Sequence, residues 1–356
     1  LPTEKAHGMQ IMRMCGAFAA ADIPHAAGSG EQKAGSGVGI TLVVPFRWRT
    51  KMFRNITDVF AYYGTQKKFR ILTLPSLDLF PLTKFLPIFD KIAFALQYGS
   101  FLFFCFVFLA ISYKLKAISS LVYTRDSRIA RLALRFTKNV FLELHTIPQA
   151  DDVYAARHVR GVVTVTQGLK TALVEGGIYA EKILTAPDAV NAAAYAAVTA
   201  PPAELRKRLH VPLDAKLIGY AGRLKTFEQE KGIPELIEAF AIVQKIHADT
   251  WLVIVGGDAA DAERYAPFLR EYGITSRVHF VGHVAPVEVP AYLKSFDVLA
   301  APFPKTAHYE IAMSPLKIFE YMAASRPMVV ADLPSLREIL SEDSAYFFEP
   351  GNAQSL

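Results

Sequence analysis

The chain is poor in cysteine, with only Cys15 and Cys105 among its 356 residues. That excludes a disulfide-stapled secreted scaffold and offers no zinc-ligand spacing, so a reducing, cytosolic setting is expected. No G-x-G-x-x-G follows a strand-like run, which removes the signature of a nicotinamide-dependent dehydrogenase. No Asp-x-Asp pair occurs, and residues 92–113 carry no formal charge. The first residues hold no secretory leader pattern, and the sequence opens on Leu1 without a Met, so a fragment is expected.

What is present is apolar and unevenly charged. A composition of 52% hydrophobic and 20% charged residues suits two domains with large cores. Up to residue 200 there are 23 Lys and Arg against 13 Asp and Glu, a net of +10; the remainder nets −4. A basic front half points to an anionic surface or anionic substrate, or serves solubility alone.

The back half alternates short apolar runs with helical periodicity. Strands are predicted at 216–220, 251–255, 278–281, 298–301 and 328–331. Helices are predicted at 233–246, 262–272, 287–295 and 314–325. The front half repeats this less cleanly, with a helix over 10–21 and strands at 41–45, 120–123, 140–144 and 162–165. Strands separated by helices imply parallel sheets covered on both faces. The fold class is therefore α/β, with two Rossmann-like doubly wound domains facing across a cleft and truncated at both ends. The first domain is expected over 1–197 and the second over 203–356, with a hinge near Ala200, Pro201 and Pro202.

Two stretches invite other readings. Residues 92–113 are long enough to span a bilayer. Gln97, Tyr98, Gly99, Ser100 and Ser112 weaken that reading, and strands of one domain fall on both sides of it. A buried helix, or one with an apolar face laid on a membrane, is expected instead, with Lys84, Lys91, Lys114 and Lys116 suited to anionic headgroups. The Gly-rich stretch 28–39 precedes a strand, lacks phosphate-loop spacing and is expected to be a surface loop.

Several residues could handle a diphosphate. Ser314 as N-cap and Pro315 at the first helical position would open a helix whose free N–H groups face an anion. Glu320, further along it, could accept the hydroxyls of a ribose. Gly222 and Arg223 follow the first strand of the second domain, and Lys231 precedes the next helix; a guanidinium and an ammonium there would neutralise phosphate. His145 ends a strand, where doubly wound folds bind ligands. Each of these, taken alone, also suits an ordinary surface or structural position.

The ordered set of motifs resembles the family 4 glycosyltransferases of the GT-B fold over nearly the whole chain. The resemblance rests on Lys5-Ala6-His7-Gly8 with the helix after it, Tyr123-Thr124-Arg125-Asp126, LHTIP at 144–148, TVTQGL at 164–169, Pro187-Asp188 with Val190, the GRL…KG pair, Val255-Gly256-Gly257, Phe280-Val281-Gly282, Asp297 and SPLKIFEYMA at 314–323. It implies that Arg223 and Lys231 bind the donor phosphates, Glu320 the ribose, and His145 the donor sugar. Backbone at Leu316 and Lys317 would cap the diphosphate, with Gly222, Gly257, Ser314 and Glu310 also on the donor side. His7 and Gly8 would lie on the acceptor side. It further implies a retaining transfer from a UDP- or GDP-sugar without metal or other cofactor. The acceptor would be a glycan or lipid-linked molecule of the cell envelope, met at the inner face of the plasma membrane; nucleic acid is not an expected partner.

The chain departs from the pattern at Ala312, where family members often carry a Glu paired with the helix Glu, and at Ala189 and Asn191, where Gly and Asp are common. The departure at Ala312 leaves a second reading, a catalytically silent nucleotide-sugar-binding protein of the same fold.

Overall fold

The computed structural model describes residues 6–21, 39–48, 55–83, 87–115, 121–199, 202–226 and 229–356. The Gly-rich stretch up to residue 38, Lys5, Lys84, Lys116 and the Ala200-Pro201 hinge lie outside the described residues. Two compact units are present: Leu1–Glu143 with Ala150–Val162, and Leu144–Gln149 with Val163–Leu356.

In chain order the first unit begins with α1 (Ala6–Ala20), β1 (Thr41–Pro45), α2 (Val59–Tyr63), β2 (Arg70–Leu74), α3 (Phe80–Thr83) and α4 (Asp90–Lys114). Then come β3 (Val122–Thr124), α5 (Ser127–Ala133), β4 (Val140–Leu144), α6 (Ala150–His158) and β5 (Gly161–Thr164). β1 pairs in parallel with β2, and β3 with β4. A four-stranded sheet runs β3-β4-β5 and ends on β6 (Ile183–Thr185).

Much of what makes this unit's motifs recognisable is structural. Glu143 is buried, and Arg125 donates two bonds to its carboxylate at 2.8 and 3.0 Å. A buried carboxylate needs such a partner, because an unpaired charge there costs several kcal/mol on the order of 3–5. Asp126 caps α5 by accepting from the N–H groups of Arg128 and Ile129, and also accepts the Tyr98 hydroxyl of α4.

α4 is one unbroken helix of 25 residues with a mean hydropathy of 2.1 over its most apolar window. Ala93, Gln97, Phe101, Cys105 and Leu109 are buried, a stripe at four-residue spacing that packs inward. Phe101 and Cys105 join Leu74, at the end of β2, in one apolar cluster. The remaining surface stays exposed: Ile92 is 55% and Phe103 61% accessible.

The second unit holds α7 (Gln167–Glu175), then β6, α8 (Ala192–Ala196), α9 (Pro202–Arg208) and β7 (Lys216–Ala221). A short hairpin of β8 (Lys225–Thr226) and β9 (Gln229–Glu230) leads to α10 (Ile233–Ile246), β10 (Thr250–Val255), α11 (Ala259–Glu271) and β11 (Val278–Gly282). α12 (Val289–Ser295), β12 (Val298–Ala301), α13 (Ala307–Ile311), α14 (Leu316–Ala324), β13 (Met328–Ala331), α15 (Pro334–Arg337) and β14 (Tyr346–Phe348) complete it. The six-stranded sheet has the order β11-β10-β7-β12-β13-β14, and its neighbouring strands all run parallel. One core covers one face through Leu217, Val253, Phe296 and Ile318; another covers the opposite face through Tyr220, Ile237, Phe240 and Ile254. Asp297 acts structurally, accepting from the N–H of Leu217 at 2.8 Å and from Arg206 at 3.1 Å.

Candidate functional site

β7 is the pivot of the second unit's sheet. The chain runs outward from it through β10 and β11 on one side, and through β12, β13 and β14 on the other. At such a reversal the loops leaving the strands' carboxyl ends diverge and leave a crevice. Gly222 and Arg223 leave β7 there, and residues 302–306 leave β12.

The β7–β12 ladder is short, pairing Val298 with Ile218 and Leu299 with Gly219. Beyond it, the Tyr321 hydroxyl accepts from the N–H of Ala221 at 3.0 Å and donates to the carbonyl of Ala300 at 3.2 Å. α14 is thus fastened beneath the crevice. The helix begins at Leu316 with Pro315 in the capping position and no side-chain cap. Ser314 therefore is not the N-cap that its sequence suggests. Its hydroxyl instead accepts from the N–H of Asp188 at 2.9 Å, because Pro315 stands in extended conformation and turns Ser314 away from the helix.

Gly232 brings Lys231 to the same place. Its φ is +78°, and a Cβ would stand 1.6 Å from the carbonyl oxygen of Pro302. Only glycine fits that close approach of the α10 start to the chain leaving β12. Burial, and then the nearby Arg223, pull the Lys231 ammonium down from 10.5 to about 8. Arg223 itself is exposed, and its carbonyl accepts the Tyr220 hydroxyl at 2.7 Å.

Lys317 contributes more than its backbone. Its side chain is buried, and its Nζ has no hydrogen-bond partner. That atom lies 3.6 Å from the centre of the Tyr220 ring and 4.9 Å from that of Phe303. A Cβ on Gly222 would come within 3.2 Å of it. Burial first, then the charge of Lys231, hold its pKa well below the usual lysine range, with Glu320 pulling the other way. His308 of α13 is likewise lowered by burial and by Lys231. Lys317, beside Gly222, and His308 therefore both lie in the field of Lys231. Such a cluster is complementary to an anion, which would restore the protons that burial disfavours. Glu320 is buried on α14, away from bulk water, beside these cations.

The other expected positions separate. Gly257 follows β10 with φ +74°, facing Leu224 and Asp261. Glu310, on α13, stands 3.9 Å from Lys305. His145 follows β4; two residues on, Ile147 packs with Val165, Leu169 and Ala312. Ala312 is thus an apolar contact at a position where a carboxylate would be costly. α1 begins at Ala6, ahead of the expected residue 10, so His7 and Gly8 lie inside the helix and not before it.

Sequence reasoning missed a clamp in the same unit. Thr166 donates to the carbonyl of Ile311 at 2.5 Å, and the Glu338 carboxylate accepts from the N–H groups of Gln167 and Gly168 at 2.7 and 3.1 Å. A Cβ on Gly168 would stand 2.8 Å from the Ile311 oxygen. The TVTQGL motif thereby fixes α7 against α13.

Residues 215–356 match the family described as Glycosyl transferases group 1. The 2-deoxystreptamine glucosyltransferase of Streptomyces kanamyceticus is 30% identical over 186 residues, 52% of this chain and 46% of that protein. The D-inositol 3-phosphate glycosyltransferase of Corynebacterium efficiens is 28% identical over 156 residues, 42% of this chain and 35% of that protein. The chain therefore spans less than half the length of the curated relatives it matches. Among solved structures, Anabaena Alr3699/HepE in complex with UDP superposes with a TM-score of 0.63 at 16% identity, covering 99% of this chain and 85% of that one. The likeness gives the fold: α/β of the GT-B glycosyltransferase type, built from two Rossmann-like domains.

Proposed function

We propose that this chain, whose residues 215–356 match Glycosyl transferases group 1, transfers a sugar from a nucleotide-diphosphate sugar to a glycan or lipid-linked acceptor. The observation that carries the reading is the Nζ of Lys317, buried without a hydrogen-bond partner beside Gly222 and in the field of Lys231. A diphosphate there would supply the missing negative charge. In the transition state that charge grows on the leaving group, and Lys231, Arg223 and the free N–H groups at Leu316 and Lys317 would stabilise it. Glu320 would hold the ribose and His145 the donor sugar. Donor, retention of configuration and independence of metal belong to the same proposal. Complexes of Anabaena Alr3699/HepE with UDP and with UDP-glucose favour UDP over GDP as the carrier.

The acceptor would meet the first unit, around His7 and Gly8, near an anionic membrane surface on the cytoplasmic side. Calorimetric titration with UDP, GDP and UDP-glucose tests the donor site: saturable binding of one nucleotide, lost in Lys231→Ala, is expected. If none binds, the donor assignment is wrong. A second reading, binding without turnover, is favoured by the apolar setting of Ala312. Donor hydrolysis or transfer by the wild-type chain would eliminate it.

A further inference from the structure

A second concentration of positive charge lies in the first unit, on residues that the candidate donor site does not use. Arg128, Arg131, Arg135, Lys138 and Arg160 line an open basin of about 950 Å³, with Tyr154 and His158 on its wall. Among the described residues no carboxylate lines it. Asp151 pairs with Arg131 at 2.9 Å and Arg128 at 3.6 Å, and Arg160 donates to Asn139 at 2.7 Å. Arg135 and Lys138 are exposed and enter no ion pair among the described residues. Arg135, Lys138 and Arg160 around one concavity repel one another, and an anion with several oxygens relieves that repulsion. The basin sits before the N-terminal end of β4, whereas His145 follows its C-terminal end.

The basin adjoins the exposed face of α4. Phe136, between Arg135 and Lys138, has its ring 5.5 Å from Phe106 and 6.1 Å from Tyr113. Arg128 lies 5.5 Å from the Tyr98 ring. At 100° per residue Ile92, Leu96, Phe103 and Phe106 share one side of the helix, opposite the buried stripe, and all are exposed. Lys91 and Lys114 stand at its two ends. The helix cannot leave the unit to span a bilayer without exposing Phe101 and Cys105 and breaking the Tyr98–Asp126 bond.

We infer that the basin and the outward face of α4 form one docking site for an anionic phospholipid bilayer. Headgroup phosphates occupy the basin, and the apolar helix face enters the interfacial region beside it. An apolar face bordered by a pocket of guanidinium groups matches that surface in both chemistries. A soluble polyphosphate has no use for the helix face. The inference rests on the reading that the first unit meets an anionic membrane, and it names the groups that would do so.

Flotation with vesicles tests it. The wild-type chain should float with phosphatidylcholine vesicles containing phosphatidylglycerol and stay in solution with phosphatidylcholine alone. The triple variant Arg135→Gln/Lys138→Gln/Arg160→Gln should lose on the order of 100-fold in partitioning, at about fivefold per charge. Phe103→Ser/Phe106→Ser should also lose binding to the anionic vesicles, and inorganic pyrophosphate should compete with them. Undiminished flotation of the triple variant overturns the basin's part, and undiminished flotation of the Phe variant overturns the helix's part. Pyrophosphate binding without vesicle binding overturns the lipid assignment in favour of a soluble anion. Thermal unfolding of each variant checks folding; removing mutually repelling charges should leave the triple variant at least as stable as the wild type. UDP titration of the same variants separates this site from the donor site, since they should bind nucleotide as the wild type does. A wild-type chain that binds vesicles but no nucleotide would sink the proposed function and leave this inference standing.

Discussion

The two units bury their apolar residues differently. In the second, both faces of a six-stranded sheet are covered, and Leu217, Val253, Ile254 and Phe296 are fully enclosed. In the first, Val140 and Leu142 of β4 are enclosed too, but α4 leaves Ile92, Phe94, Phe103 and Ile111 in contact with solvent. A parallel sheet must be covered on both sides to satisfy its strands, so the second unit spends its apolar residues inward. The first unit keeps a reserve outside, beside a basin of cations. One unit is organised around a buried charge cluster at a sheet reversal, the other around an exposed surface of mixed apolar and basic character.

The largest effect that would test this contrast is core truncation. Phe296→Ala removes a ring whose nearest atom would stand 1.9 Å from a Cβ on Gly219. It should cost about 3–5 kcal/mol, read as a fall in unfolding midpoint. Phe103→Ser on α4 should change stability by no more than about 0.5 kcal/mol. Equal losses would erase the distinction. Next, Lys231→Ala should reduce donor turnover by roughly 100- to 1,000-fold, whereas Lys138→Gln in the basin should leave turnover in detergent solution unaltered. Comparable losses from both would join the two charge clusters into one site.

A smaller effect concerns Tyr321→Phe, which leaves a buried N–H and a buried carbonyl without their partner. It should cost roughly 1–3 kcal/mol in denaturant unfolding, and a neutral result would mean that water replaces the hydroxyl. The mildest test is pH. Lys231 is lowered from 10.5 to about 8, so holding its proton costs the folded state stability at neutral pH. That cost is present below 8 and fades as pH rises from 8 towards 10.5, so this group makes the free protein relatively more stable across the window. A bound diphosphate needs the same proton, so UDP affinity should fall above pH 8 by up to about tenfold per pH unit. Lys231→Arg should flatten the profile, and a flat wild-type profile would remove Lys231 from the phosphate contact.

Most strands of the second unit were legible because they are apolar runs closed by glycine, proline or aspartate. The predicted 298–301 and 328–331 coincide with β12 and β13, and 233–246 with α10. Strand β2 escaped because it is only five residues long, begins on Arg70 and shows no regular alternation of burial. β6 and β14 have three residues each, too few for periodicity to register. α13 is a five-residue helix whose start is a Thr306 cap, and its pattern carries no apolar face. In the candidate site, motif position pointed to Lys231 and Glu320. It could not give the direction of the Lys317 side chain, which depends on how α14 is rotated beneath β7. Nor could it separate residues near a ligand from residues that hold the frame. Arg125 with Glu143, Asp126 and Asp297 are framework in this structure. For the apolar stretch 92–113 periodicity leaves open a buried helix or one with an apolar face laid on a membrane; α4 is buried along one stripe and exposed elsewhere, which only the packing of β2 and α5 shows.

Tyr321 has one more implication. Where β7 and β12 part company, its phenol oxygen stands in for a missing rung of the ladder, joined to an N–H on one rail and a carbonyl on the other. The gap between the strands is therefore gauged by a single atom reaching up from α14. The aperture is a dimension set from below by a helix, and the anion-facing loops inherit it. Any residue that alters how high α14 rides would widen or narrow the mouth without touching what enters it.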